Sequence, residues 1–167
     1  TYNKEVFGYN VSDLIDEDRD TVLSRLEEDG LAATQLTDST WQSTETIGGF
    51  AFTILLEFYE YGETPGERLF SYTKSYRTEQ PVSNEEDKMA ETYVDAWITY
   101  LGSPEGDDYT SYSEIKGEGI GLNWFRKDAD TPEEDIELKE LSITRTETLF
   151  DISLKDYSKE RLSQLGY

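Results

Sequence analysis

The chain has 167 residues, of which 37 are Asp or Glu and 15 are Lys or Arg, for a formal charge of −22. It contains neither Cys nor His, which excludes disulfides, zinc-thiolate sites, Ser-His-Asp and Cys-His catalysis, and the commonest metal ligand. A field of this sign repels nucleic acid and anionic membranes and attracts basic surfaces, less strongly as salt rises.

The length fits a single globular domain over residues 1–167. Aromatic residues make up 13 % of the chain, which separates it from disordered acidic tails. No apolar run approaches the ~18 residues of a membrane span. The first residues lack the apolar core of a signal peptide. A cytoplasmic protein that binds no membrane is expected.

Leu14, Ile15, Val22, Leu23 and Leu26 fit the buried stripe of a helical region from about Ser12 to Asp29, stopped at Gly30. The polar run Asp16 to Asp20 offers an alternative division into two short helices. Phe50, Phe52, Ile54, Leu56 and Phe58 then alternate with a second face, the period of a strand. Gly62 to Gly66 supplies a turn. Arg68, Phe70, Tyr72, Lys74 and Tyr76 mark one face of the returning strand, which predicts a β-hairpin.

Ser83-Asn84-Glu85-Glu86 is a capping box. Ala90, Tyr93, Val94, Trp97, Ile98 and Leu101 follow at helical spacing, with Gly102 and Pro104 as stop signals. Glu91, Asp95 and Thr99 take the opposite face. Tyr109 to Phe125 reads as a second hairpin or a bent strand, in which Gly117, Gly119 and Gly121 permit bulges. Ile136 to Leu154 reads as extended, with a phase slip that a bulge or turn near Thr146 would explain. A short helix closes the chain at Ser158 to Leu165. The expected fold is α+β: an antiparallel sheet of roughly four to six strands with two main helices on one face.

Motifs for chemistry are sparse. Asp16 to Glu27 matches a calcium loop at the first, third, fifth and last positions, but Thr21 stands where the sharp turn needs Gly. An acidic helix N-terminus is the better reading, and no metal is assigned. Gly117-Glu118-Gly119-Ile120-Gly121 lacks phosphate-loop spacing and carries an acid. Carboxylates are too numerous for any pair to stand out as catalytic. No catalytic residue, enzymatic activity or cofactor is assigned. The aromatics Tyr93, Trp97, Tyr100, Phe70, Tyr72 and Tyr76 read as core, because base-stacking platforms sit in basic grooves.

The charge is segregated along the chain. Residues 79–114 carry a net −9, whereas residues 45–78 carry only −2. The expected function is an acidic inhibitor that blocks the basic nucleic-acid-binding surface of a partner protein, an enzyme or nuclease, without touching nucleic acid itself. Carboxylates on a rigid scaffold can imitate DNA, which presents one charge per ~1.7 Å of axis. In charge and size, though through no shared motif, the chain resembles DNA-mimic antirestriction and anti-CRISPR proteins and the immunity proteins of basic nucleases.

The candidate contacts are Asp16, Glu17, Asp18 and Asp20; Glu27, Glu28 and Asp29; Glu85, Glu86 and Asp87 with Glu91 and Asp95; and Asp107 and Asp108. Glu133, Glu134 and Asp135 form a secondary cluster. The alternative is an assembly component, a virion or secretion-system subunit, that self-associates or docks through its aromatic hairpin.

Overall fold

The computed structural model describes residues 2–102, 104, 111–115, 120–127, 136–164 and 166. Seven strands form one antiparallel sheet in the order β1-β2-β3-β4-β7-β6-β5. They are β1 (Thr34–Gln35), β2 (Thr40–Ile47), β3 (Phe50–Glu60), β4 (Glu67–Thr78), β5 (Ile120–Lys127), β6 (Ile136–Arg145) and β7 (Phe150–Tyr157). Six of these have eight or more residues, and β1 is a two-residue edge.

The period-two pattern of β3 becomes the centre of the core, with Phe52, Ile54, Leu56 and Phe58 all 0 % exposed. Two helices cover this same face. Helix α3 (Asn84–Leu101) seats Tyr93, Val94, Trp97 and Ile98 against Phe52, Leu141, Phe150 and Ile152. Helix α2 (Arg19–Glu28) seats Val22 and Leu26 against Ile54, Leu56, Phe58 and Leu69. The expected α+β architecture, with two main helices on one face of an antiparallel sheet, is the one observed. Between the helices run α1 (Lys4–Phe7) and a 3₁₀ turn (Val11–Leu14). They contribute Phe7, stacked 3.9 Å from Trp97, as well as Val11 and Leu14.

The helical region from Ser12 to Asp29 is therefore divided, as the polar run Asp16 to Asp20 suggested. Asp16 takes a left-handed backbone (φ 71°), and its N–H bonds to the Leu69 carbonyl at 3.0 Å. Asp18 then caps α2 by accepting from the Thr21 N–H at 3.0 Å and its hydroxyl at 2.7 Å. A backbone bond reaching across to β4 fixes the break at Asp16, and the local Asp18 cap starts α2.

Two local expectations change. Phe70 does not share the face of Tyr72 and Tyr76. The register shifts from Glu57↔Ser71 to Phe58↔Leu69, so Phe70 is the extra residue of a bulge. Leu69 enters the core in its place, and Phe70 meets Tyr59 and Tyr157 at 5.6 and 6.2 Å. Nor do residues 109–125 form a hairpin in their described parts. Residues Tyr112–Ile115 are the helical turn α4, and β5 pairs with β6 instead. Tyr112 is held by α3, its N–H donating to Asp95 Oδ1 at 2.5 Å and its hydroxyl to Asp87 Oδ1 at 2.9 Å. Tertiary contacts override the strand propensity of an aromatic residue. The slip near Thr146 is a turn between β6 and β7, and α5 (Lys159–Gln164) closes the chain.

Candidate functional site: an acidic edge and a polar cavity

The exterior charge depends on where the cations go. Among the described residues, eight acid–base contacts lie within 4 Å: Arg19–Asp20, Arg19–Glu67, Arg68–Glu160, Lys74–Glu45, Arg77–Asp151, Lys139–Asp156, Arg145–Asp87 and Lys155–Glu57. These contacts engage seven of the 15 bases but only eight of the 37 acids. Three of the cations, Arg68, Lys74 and Lys139, are buried. Burial holds the Lys74 ammonium below its ordinary pKa, against the opposing pull of Glu45. The acids left over dominate the field outside the molecule.

Those acids concentrate at α2. Asp18, Asp20, Glu27, Glu28 and Asp29 are exposed, and Asp20, Glu27 and Glu28 fall on the side of α2 away from Val22 and Leu26. The turn after β3 adds the exposed Glu60 and Glu63. A bridge between Asp18 and Arg68 and the 2.8 Å Arg19–Glu67 pair join that turn to the start of α2. Helix start and hairpin turn thus form one acidic edge.

The segment with the highest formal charge is less available than its composition suggests. In α3, Glu85 and Glu91 are exposed, but Glu86 is 9 % exposed and completes the capping box with Ser83. Burial tends to raise the Glu86 carboxyl pKa, but hydrogen bonds from the Tyr76 hydroxyl and from Ser83 hold it below the ordinary value. Asp87 pairs with Arg145 at 3.3 Å, and Asp95 holds the Tyr112 N–H. Asp16 is half-buried and accepts from the hydroxyls of Tyr61 and Ser158. Glu17 is half-buried, and its carbonyl receives the Leu69 N–H. Asp107, Asp108, Glu133, Glu134 and Asp135 lie outside the described residues. Along the calcium-loop stretch, Asp16 faces Tyr61 and Ser158 while Asp18 caps α2, so the two carboxylates do not converge. Among the described residues no group of three acids could hold a metal ion.

Charged side chains inside the helix-covered layer form a second feature. Lys74 lies in register between Ile54 and Leu154, and donates to Glu45 and to the carbonyls of Phe7 and Tyr9 at 2.9 to 3.1 Å. Lys139 and Asp156 face each other in register at 2.9 Å and are 3 % and 2 % exposed. Asp156 also accepts from the Ser12 hydroxyl, which lies 3.2 Å from the Tyr72 hydroxyl. This network lies along a cavity of about 460 Å³ between the N-terminal segment, the end of α3 and the β6–β7 pair. The sequence carried a readable signal for it: Lys139 continues the apolar phase of Leu141 and Ile143, and Asp156 that of Ile152 and Leu154.

The Ser12 hydroxyl donates to Asp156, whose carboxylate already holds the Lys139 ammonium and the Tyr157 N–H. Comparison of the chain with protein-family models, with curated proteins and with solved structures finds no match.

Proposed function

We propose that the protein acts by binding rather than by catalysis, and that its acidic edge occupies the basic nucleic-acid-binding surface of a partner protein. The observation that carries this reading is the withdrawal of cations into ion pairs while the acids of α2 and the β3–β4 turn stay exposed. Helix α2 is ~15 Å long and rigidly seated through Val22 and Leu26. Its outer carboxylates are therefore fixed in space before any partner arrives, which reduces the ordering cost of association. Lys and Arg that normally meet phosphate would meet Asp20, Glu27, Glu28, Glu60 and Glu63 instead. The partner's class is that of a restriction enzyme, a CRISPR effector or a toxin nuclease.

An inhibition assay tests this. The purified protein is added to DNA-cleavage reactions of a panel drawn from those three classes, at low and at elevated salt. The expected result is stoichiometric protection of substrate from one class, relieved as salt rises. Full cleavage by every panel member at low salt would remove the support for the reading.

The assembly alternative is favoured by a different feature, the aromatic group Tyr59, Phe70 and Tyr157 beside the bulge, with Tyr59 42 % exposed. Strands β3 and β4 are both interior to the sheet, so such a contact would use their face and not a free backbone edge. Sedimentation of wild type and Tyr59→Ser separates the readings: a concentration-dependent oligomer that the substitution abolishes favours assembly.

A further inference from the structure

Phe70, the extra residue of the β4 bulge, is ringed by three tyrosines. Tyr59, Tyr61 and Tyr157 meet it edge-on at 5.6, 5.9 and 6.2 Å. Two of the three already carry a cation with a carboxylate beside it. The Arg68 guanidinium lies 4.2 Å over the Tyr61 ring, and its two terminal nitrogens donate to the two Glu160 oxygens at 2.6 and 3.2 Å. The Lys155 ammonium lies 5.0 Å over the Tyr157 ring and 3.8 Å from Glu57. Tyr59 is the third. It is 42 % exposed and braced by Phe70, and no cation–ring contact among the described residues involves it. Carboxylates adjoin this ring as well. Glu57 lies two residues back on the same face of β3, and Glu60, next in the chain, is exposed.

This setting selects a cation, and among cations a guanidinium. The negative face of a phenol ring beside carboxylates repels anions and attracts positive charge. A guanidinium lies flat on such a ring while its fork of N–H groups reaches a neighbouring carboxylate, which a compact, strongly hydrated ammonium does less well. Arg68 on Tyr61, bonded to Glu160, is that geometry within this chain. We propose that Tyr59 anchors an arginine of the basic partner, stacked on the ring with Glu57 and Glu60 as its counter-ions. The inference rests on the acidic-edge reading, because Glu60 belongs to that edge and the arginine enters beside it. An arginine that normally clasps phosphate finds a carboxylate in its place. The ring adds what DNA-like charge alone lacks, a Tyr–Arg contact of the kind that concentrates binding energy at protein interfaces.

An NMR titration at low salt tests the proposal, with short oligo-arginine and oligo-lysine peptides of equal length as probes. Two groups of signals are read together. The amides of Asp20, Glu27 and Glu28 report on the acidic edge, and the Tyr59 ring, assigned by its loss in Tyr59→Leu, reports on the anchor. Wild type is compared with Tyr59→Leu, which keeps an apolar side chain, and with Tyr59→Phe, which keeps the ring. Thermal melts confirm that both variants are folded. The expected result is saturable shifts in both groups with oligo-arginine and a Tyr59 shift that oligo-lysine does not match. Oligo-arginine affinity should fall about threefold in Tyr59→Leu and be retained in Tyr59→Phe. Shifts at the α2 amides without a Tyr59 ring shift overturn the inference and leave the acidic-edge reading intact, as does oligo-arginine affinity that Tyr59→Leu leaves unchanged. A ring that responds equally to oligo-lysine overturns the choice of arginine. A ring shift that follows protein concentration without peptide overturns the inference in favour of self-association. No shift in either group overturns it together with the reading it rests on.

Discussion

Glu45 is the residue on which most of the N-terminal segment depends. Its carboxylate accepts from the Lys74 ammonium at 3.1 Å and from the Tyr9 N–H at 2.9 and 3.1 Å, and Gly8 packs so closely on it that a Cβ there would overlap its Oε1. Gly8 also has φ 76°, a conformation other residues rarely adopt. Glu45→Ala leaves a buried ammonium with only two carbonyls as partners, and the expected loss is about 3 kcal/mol in urea unfolding. A loss below about 1 kcal/mol would mean the pair behaves like an exposed one. Tyrosines carry the second residue-scale consequence. Burial, then hydrogen bonding to Glu86, pushes Tyr76 up to about 12 from 10.0, and burial, then bonding to Asp87, does the same for Tyr112. A raised folded-state pKa gives stability that is complete below the unfolded value and lost as pH climbs through the folded one. Stability should therefore hold to about pH 10 and fall between there and about pH 12. Phenolate absorbance that rises fully near pH 10 with near-UV circular dichroism intact would contradict this.

Elements were legible in the sequence where one physical signal governed them. The capping box of α3 and its apolar stripe needed nothing beyond the chain itself, and the structure has both hydrogen bonds of the box, with Ser83 accepting from the Glu86 N–H and Glu86 from the Ser83 N–H. Ser83→Ala should cost about 1 kcal/mol in equilibrium unfolding, and an unchanged midpoint would show the cap to be dispensable. Strand β3 was equally plain, because its inward face is wholly apolar. Strand β2 was not found at all. Its inward positions include Ser43, which bonds the Leu31 carbonyl at 2.7 Å, and Glu45, which meets Lys74. Polar groups satisfied only across the fold disguise a buried strand as a loop. The same reason hid the cavity: Ser12, Lys139 and Asp156 lie far apart in sequence, and their pairing exists only once β6, β7 and the N-terminal segment meet. Tyr112 illustrates a third case, in which two α3 carboxylates draw an aromatic residue out of the strand its neighbours suggested. Those carboxylates, Asp87 and Asp95, had been candidate partner contacts on composition alone, which cannot distinguish an acid that faces solvent from one that holds a turn.

For the whole molecule, unequal charge has a conformational cost that sets its response to solution conditions. The 37 acids outnumber the 15 bases by 22, so self-repulsion weakens the folded state at low ionic strength. Raising NaCl from about 20 mM to about 500 mM, where the Debye length shrinks to roughly 4 Å, should raise the melting temperature by a few degrees. A flat or falling Tm would place the stabilising ion pairs ahead of the repulsion. The same charge defines the functional account, since a basic nucleic-acid-binding surface would relieve the repulsion as it binds. The most direct measurement is capture of nucleic-acid-binding proteins on the immobilised chain at low salt, with duplex DNA as competitor, in wild type and in the triple variant Asp20→Lys, Glu27→Lys, Glu28→Lys. The account predicts one basic protein retained by wild type, released by DNA, and not retained by the variant. Retention that ignores both DNA and the charge reversal would contradict it.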